Sequence, residues 1–447
     1  MKHRKLLSLF LILCISVIGL SVAQAQDDPV TITVWHWGGI DDNIQQTEQL
    51  AEIFPELFER IQVEHFSTGG NDAEVYQQFR LALSSGDTLP DVVTMNYTAL
   101  PEFASAGVLE DLSECIAPYM DDISQAGLEL IQYNGEMVAI PKQAKSKLWF
   151  YRVDMFEEAG IDPDAIETFE DFFAAAEQFN ATFPDAYIIN LGPQPIHYWY
   201  FTMLSHWDDS RVATEDGEYL LTSDESFYNL FDWTKQLYDA GLTFQTDDFS
   251  ADWNQAFIDN QVGSWLSASW GWDWPINNFA ETPNPEQWGV TLWPEFMRSG
   301  AEAGGGILVV PKDTPNADLA CEYLATQHLT TEGSVAYFES TGVIPVTVSG
   351  LEAIAERAAN PVQPEGMSDE DWARNRLNFW GEDLVSAMAE SYEVFQIYPY
   401  DPAASTELEI LRQHMESLLA GRHETVEDAL EAAQSDMESQ IGNPYDF

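Results

Sequence analysis

Short apolar runs alternate along the chain with longer stretches whose apolar residues recur every three or four positions. The run from Val30 to Trp35 predicts a strand, and the stretch from about Asn43 to Phe58 predicts a helix with one apolar face. Further strands are predicted from Gln62 to Phe66 and from Pro90 to Met95. Such alternation is typical of an α/β protein with largely parallel sheets.

The same patterns predict elements in the rest of the chain. We expect Asp72 to cap the helix that follows the second strand, and Thr425 with Asp428 to form a capping box. The other predicted strands are Leu148–Tyr151, Tyr187–Asn190, Gly289–Trp293 and Ile307–Val310, and the other predicted helices are Phe169–Asn180, Glu225–Ala240, Asp318–Leu329, Leu408–Leu419 and Thr425–Gln440.

The first 25 residues have the pattern of a secretory signal peptide. Lys2, Arg4 and Lys5 precede an apolar run from Leu6 to Val22, and Ala23-Gln24-Ala25 offers a cleavage site between small residues. We therefore expect an exported protein, either periplasmic or extracellular at the cell surface. Retention of the run as a membrane anchor stays open.

The charge of the chain is strongly negative. Against 75 acidic residues there are 18 basic ones, and loss of the three in the leader leaves 15 − 75 = −60. Such a charge excludes nucleic acid and anionic membrane surfaces as partners. Because 45% of the residues are hydrophobic and 13% aromatic, we expect a packed core and not a disordered acidic chain.

Motifs for catalysis and for metal binding are absent from the sequence. It has no His-Glu-x-x-His pattern, no phosphate-binding glycine loop with lysine and no Gly-x-Ser-x-Gly elbow. After the leader only Cys115 and Cys321 remain, which excludes a cysteine-rich metal site and leaves one bridge between them open. We expect a non-enzyme without catalytic residues, metal or cofactor; a secreted glycoside hydrolase is the remote alternative, since pairs of carboxylates carry no information among 75 acids.

Several motifs occur in an order that is familiar from one family. They are Ile32-Thr33-Val34-Trp35-His36-Trp37-Gly38, Leu89-Pro90-Asp91-Val92-Val93, Ala106-Gly107-Val108-Leu109-Glu110-Asp111-Leu112, Tyr133-Asn134-Gly135-Glu136-Met137-Val138-Ala139-Ile140-Pro141, Ser269-Trp270-Gly271-Trp272 and the segment from Gly421 to Leu430. With them the chain resembles the extracellular solute-binding proteins of carbohydrate ABC importers, the family of maltose-binding protein.

The resemblance implies a two-lobed periplasmic-binding-protein fold of type II with three hinge crossings and a ligand cleft between the lobes. Lobe one would hold residues 27–143 plus 304–357, and lobe two residues 146–302 plus 360–447. The chain would capture a sugar or oligosaccharide and deliver it to the permease of an ABC importer, and we expect a monomer. Another small solute on the same fold, such as a polyamine, a peptide or a phosphate ester, is the alternative.

The resemblance also implies a set of ligand-binding residues. Trp270 matches the tryptophan that stacks on sugar in this family, and flat aromatic side chains suit the C–H faces of a pyranose. Lys145 occupies the hinge position at which maltose-binding protein carries a sugar-binding glutamate, and Met95 and Thr98 depart from the maltose pattern. The remaining candidates are Trp37, Asp41, Asn96, Tyr97, Tyr198, Trp199, Trp272 and Gly305.

Basic residues concentrate near the predicted cleft. Lys142, Lys145, Lys147 and Arg152 are four of the 15 that remain without the leader. One interpretation is that they neutralise nearby acids. The other is that Lys142 or Lys145 meets an anionic or acceptor-rich sugar such as a uronate.

Overall fold

The computed structural model describes residues 28–192, 210–280, 282–298 and 305–445. The predicted signal peptide, Tyr198 and Trp199 lie outside the described residues. The strands are β1 (Val30–His36), β2 (Ile61–Ser67), β3 (Val92–Asn96), β4 (Gln132–Tyr133), β5 (Glu136–Met137), β6 (Ile140–Gln143), β7 (Lys147–Arg152), β8 (Ile189–Asn190), β9 (Thr243–Phe244), β10 (Ser264–Ala268), β11 (Trp288–Leu292) and β12 (Gly306–Val309).

Helices make up most of the remaining regular structure. They are α1 (Asp41–Ile53), α2 (Pro55–Phe58), α3 (Asp72–Ser85), α4 (Leu100–Ser105), α5 (Ser113–Ile116), α6 (Gln125–Glu129), α7 (Val153–Ala159), α8 (Phe169–Thr182), α9 (Glu225–Asp239), α10 (Ala251–Ile258), α11 (Trp274–Asn277), α12 (Ala317–His328), α13 (Thr331–Thr341), α14 (Val348–Ala359), α15 (Asp369–Ala373), α16 (Arg376–Trp380), α17 (Glu382–Glu393), α18 (Ala404–Leu419) and α19 (Val426–Gln440). Among the described residues no helix combines the length and the apolarity that a membrane crossing needs.

The two larger sheets differ in strand direction. One has the order β2-β1-β3-β12-β6, with β1 parallel to β2 and to β3 and with β12 antiparallel to both of its neighbours. The other has the order β10-β7-β11 and is antiparallel throughout. The expectation of largely parallel sheets is therefore wrong for the second sheet, because a buried strand has the same apolar pattern in either direction.

Two details of the helices differ from the sequence-based prediction. The helix predicted from Asn43 to Phe58 is divided, because the residue before Pro55 avoids the helical region and α1 ends at Ile53. The cap of α3 is not Asp72: the side chain of Asn71 accepts the amide hydrogen of Glu74. The capping box of Thr425 and Asp428 is confirmed.

The hydrophobic interior consists of two clusters that meet at β7. Phe150 belongs to the cluster that surrounds the five-stranded sheet, and the adjacent Trp149 belongs to the other cluster. Because neighbouring residues of a strand point to opposite faces, the three-stranded sheet is buried on both faces. A disulfide between Cys115 and Cys321, which the sequence left open, joins α5 to α12.

Candidate functional site

The chain passes from one large sheet to the other at residues 144–146. β6 ends at Gln143 and β7 begins at Lys147, and Lys145 between them has a φ of 48°. Across β7, Lys147 pairs with Ala268, and the Ser269 amide donates to the Ser146 carbonyl at 2.8 Å. Trp270 follows Ser269 directly, so its backbone lies close to this crossing.

Lys145 is connected to the carboxyl end of β3. Its Nζ donates a hydrogen bond of 2.7 Å to Oδ1 of Asn96, and Nδ2 of Asn96 donates to Oδ2 of Asp72 at 2.7 Å. The Asn96 backbone amide donates to the Tyr76 hydroxyl oxygen at 2.8 Å. The amide side chain of Asn96 thus holds Lys145 on one side and a carboxylate on the other.

Gly305 lies beside this crossing and is required there. Its φ is 74°, and a Cβ at this position would come within 2.6 Å of Leu130 Cδ2 and 2.8 Å of the Gln143 carbonyl oxygen. The Gly305 carbonyl accepts a 3.0 Å hydrogen bond from the Tyr97 amide. Any larger residue would push this strand end away from β6 and β3.

Tyr97 connects the two hydrophobic clusters. Its ring packs against both, and the ring of Tyr400 lies 6.0 Å away between centroids. Burial raises the pKa of Tyr97 to about 12, with the Glu129 carboxylate adding to the shift. Its hydroxyl therefore stays protonated at neutral pH and is able to donate a hydrogen bond.

Trp37 follows the end of β1 and Lys142 lies near the end of β6, so both belong to the same edge of the five-stranded sheet as Asn96. Nζ of Lys142 lies 5.9 Å from the ring centroids of Trp37 and of Tyr337. Burial lowers the pKa of Lys142 to about 8. Asp41 is exposed and is the first residue of α1. Burial raises the pKa of Asp273, and the nearby carboxylate of Asp42 raises it further.

An aromatic cluster surrounds Trp270. Ring centroids lie 5.3 Å away for Trp265, 5.5 Å for Trp274 and 6.0 Å for Phe249. Phe249 has a φ of 62°, which is strained for a bulky residue, and its side chain is 39% exposed. The sequence-based prediction missed Phe249, because it lies in a polar loop and no residue pattern announces its backbone conformation.

Trp272 is placed differently from Trp270. It is 4% exposed, its Nε1 donates to the Gly342 carbonyl at 2.9 Å, and the Arg376 guanidinium lies 4.3 Å from its ring centroid. Its carbonyl accepts a hydrogen bond from Nε1 of Trp380. These contacts favour a packing role, and a ligand contact of Trp272 stays a prediction.

The predicted site residues thus fall into four groups. Five of them are brought to the crossing or to the strand ends beside it: Asn96, Tyr97, Lys145, Trp270 and Gly305. The ring of Trp37 lies near the Lys142 ammonium, and Asp41, four residues further along the chain, is exposed. Trp272 is packed, and Tyr198 and Trp199 lie outside the described residues. Within the described ranges no three His, Cys, Asp or Glu side chains are arranged to hold a metal ion.

The chain crosses between two sheets that are covered by helices, and polar side chains and an aromatic cluster lie near this crossing. This arrangement is typical of a small-molecule binding protein. Residues 49–361 match the family model described as bacterial extracellular solute-binding protein, and the chain belongs to this family. The family resemblance inferred from the motifs is thereby confirmed. The family consists of solute-binding proteins and not of enzymes, as expected, and its extracellular character assigns the chain to exported proteins.

Known proteins with similar sequence and structure agree with this assignment. The chain is 24% identical over 386 residues to the arabinooligosaccharide-binding protein of Halalkalibacterium halodurans, covering 82% of this chain and 80% of that one. It is 23% identical over 323 residues to the lactose-binding protein of Rhizobium radiobacter, covering 66% and 69%.

Solved structures show the same fold. The binding protein of B. animalis subsp. lactis in complex with β-1,6-galactobiose superposes with a TM-score of 0.72 at 22% identity, covering 93% of this chain and 99% of that one. The galacto-N-biose-/lacto-N-biose I-binding protein of Bifidobacterium longum gives 0.73 at 19% identity, covering 94% and 98%. The chain therefore has the two-lobed α/β fold of periplasmic binding proteins, as predicted.

Proposed function

We propose that this protein captures a sugar or oligosaccharide outside the cytoplasm and delivers it to the permease of an ABC importer. The observation that carries the proposal is the crossing at residues 144–146. Lys145 is hydrogen-bonded to Asn96 there, and the hydrogen bond from the Ser269 amide to the Ser146 carbonyl brings the segment that leads to Trp270 and its aromatic cluster to the same strand ends. Polar groups and aromatic rings near the same strand ends suit the hydroxyl edges and C–H faces of a pyranose.

The sugars bound by the similar proteins support the same class of ligand. Arabinooligosaccharide, lactose and β-1,6-galactobiose appear in the names of three of them. We propose Trp270, Phe249, Asn96, Tyr97 and Lys145 as the contacts. A periplasmic or cell-surface location and a monomeric state belong to the same proposal.

Binding is proposed to close the two lobes on the ligand. Residues 27–143 plus 304–357 would form one lobe, and 146–302 plus 360–447 the other. The strands of the five-stranded sheet all fall in the first set and those of the three-stranded sheet in the second, which supports this division. Closure follows because only the closed form makes both sets of contacts.

A thermal-shift screen of neutral and acidic oligosaccharides tests the proposal. A ligand present at 100 times its Kd should stabilise the folded protein by about 2.7 kcal/mol. Trp270→Ala should abolish the shift, whereas Trp233→Phe, which alters an aromatic residue of the other hydrophobic cluster, should keep it. No shift with any sugar, or equal shifts in both variants, would contradict the proposal.

A further inference from the structure

Seven of the described lysines and arginines pair with a carboxylate, and two lysines beside the crossing, Lys142 and Lys145, do not. Arg152, the fourth basic residue of this stretch, pairs with Asp154 at 2.7 Å, which fits the neutralising interpretation. Among the described residues neither Lys142 nor Lys145 has an acidic oxygen within 4 Å. Lys142 and Lys145 thus have no acidic partner within the described part of a chain that holds 75 acidic residues.

Lys145 retains hydrogen-bonding capacity for a ligand. An ammonium group has three N–H donors, and the contact to Asn96 Oδ1 uses one of them. Asp72 is connected to Lys145 only through the Asn96 amide, which turns its oxygen to the lysine and its NH₂ to the carboxylate. The amide therefore separates the two charges, and Lys145 remains available to another acceptor.

Lys142 adds a positive charge in apolar surroundings. Its ammonium lies between the Trp37 and Tyr337 rings, and the nearby imidazoles of His36 and His65 are held neutral by burial, which lowers their pKa to about 2 and about 4. Lys142 therefore places a second positive charge near the end of β6.

We propose that the solute is an acidic oligosaccharide, one that contains uronic acid, and that Lys145 and Lys142 receive its carboxylate. This inference rests on the proposed sugar-binding function. A carboxylate supplies an acceptor for the remaining N–H donors of Lys145 and the negative charge that neither lysine has as a partner among the described residues, and a charge-assisted hydrogen bond is stronger than one to a neutral hydroxyl. The negative charge of the whole protein opposes such a ligand only weakly at this range, because salt at physiological strength screens exposed charges beyond about 8 Å.

The test compares pairs of ligands that differ only in the carboxylate. Galacturonic, glucuronic and mannuronic trisaccharides are titrated by calorimetry beside the same trisaccharides after reduction of the carboxyl groups to alcohols. At least one acidic member should bind 10-fold or more tightly than its reduced counterpart. Lys145→Met should reduce this ratio to within about 3-fold of unity, and Lys142→Met should reduce it in the same direction.

Lys312→Met is the matched control, because Lys312 is exposed and away from the crossing, and the change removes the same charge. It should leave the ratio unchanged. A purely structural role of Lys145 would weaken both members equally and keep the ratio, which would overturn the inference. Equal or tighter binding of the reduced sugars to the wild type would overturn it and leave the proposed function intact. Binding of no sugar, neutral or acidic, would refute both.

Discussion

The carboxylates of Glu407 and Asp401 lie together in the interior, and neither forms an ion pair with a described cation. Glu407 in α18 is 1% exposed and Asp401 is 5% exposed. Burial raises the pKa of Glu407, and the neighbouring Asp401 carboxylate raises it further. Burial also raises the pKa of Asp401, although its Oδ1 accepts the Ala403 amide hydrogen at 2.8 Å. We therefore expect the folded protein to keep one proton on this pair at neutral pH.

The sign of the effect follows from proton linkage. The pKa of Glu407 is higher in the folded chain than its ordinary value of 4.5, so its contribution to stability is complete below about pH 4.5 and declines as pH rises toward the folded pKa. In that window unfolding releases one proton, and the free energy of unfolding falls by about 1.4 kcal/mol per pH unit from this group alone. From pH 5.5 to 7.5 the loss is on the order of 3 kcal/mol.

Glu407→Gln tests this reasoning, because glutamine keeps the shape and a hydrogen-bond donor but binds no proton. The variant should gain stability relative to the wild type as pH rises, and the difference in the free energy of unfolding should grow across pH 5.5–7.5. Urea titrations at several pH values measure it. Glu431→Gln, the same change at an exposed position of α19, should show a constant difference. Parallel pH profiles for the wild type and Glu407→Gln would refute a shared proton.

Three further results are expected. Trp270→Ala should weaken binding of the best ligand at least 10-fold by calorimetry and Trp270→Phe should fall between, whereas equal affinities would place Trp270 outside the site. Cys321→Ser should lower the free energy of unfolding by about 2–5 kcal/mol, and a reductant should lower that of the wild type but not of the variant, since the bond closes a loop with a sequence separation of 206. Gly421→Ala should lower the free energy of unfolding by about 1–2 kcal/mol through backbone strain, and Gly305→Ala should lower it by more. Both glycines have φ near 70°, but only at Gly305 would an added Cβ come within 3 Å of other atoms. Equal urea midpoints for the two variants would contradict the clash.

The sequence predicted those elements whose local pattern is strong. α8, α9, α12, α18 and α19 lie within a few residues of their predicted bounds. The same holds for β7, β11 and β12. The strand predicted from Tyr187 is shorter, because only Ile189 and Asn190 join a ladder while Tyr187 makes a single bridge to Val262. Strand direction escaped prediction, since periodicity reports burial and not the orientation of a neighbour.

The candidate site was predictable where it follows a strand end. Asn96 and Tyr97 could be assigned because the carboxyl ends of parallel strands form one edge. Phe249 could not, because its positive φ and its contact with Trp270 depend on tertiary packing. The approach of the segment before Trp270 to the crossing likewise requires the register of β10 on β7.

The disulfide determines what happens to the molecule when a protease cuts the chain. One cysteine precedes and the other follows the chain segment that contributes all three strands of the β10-β7-β11 sheet. The disulfide therefore links the two ends of this segment covalently. A protease that cuts once anywhere between residues 115 and 321 produces two fragments that stay a single molecule under oxidising conditions. Only a reductant would separate the two fragments. In the oxidised protein they would stay linked and could fold together again around the candidate site.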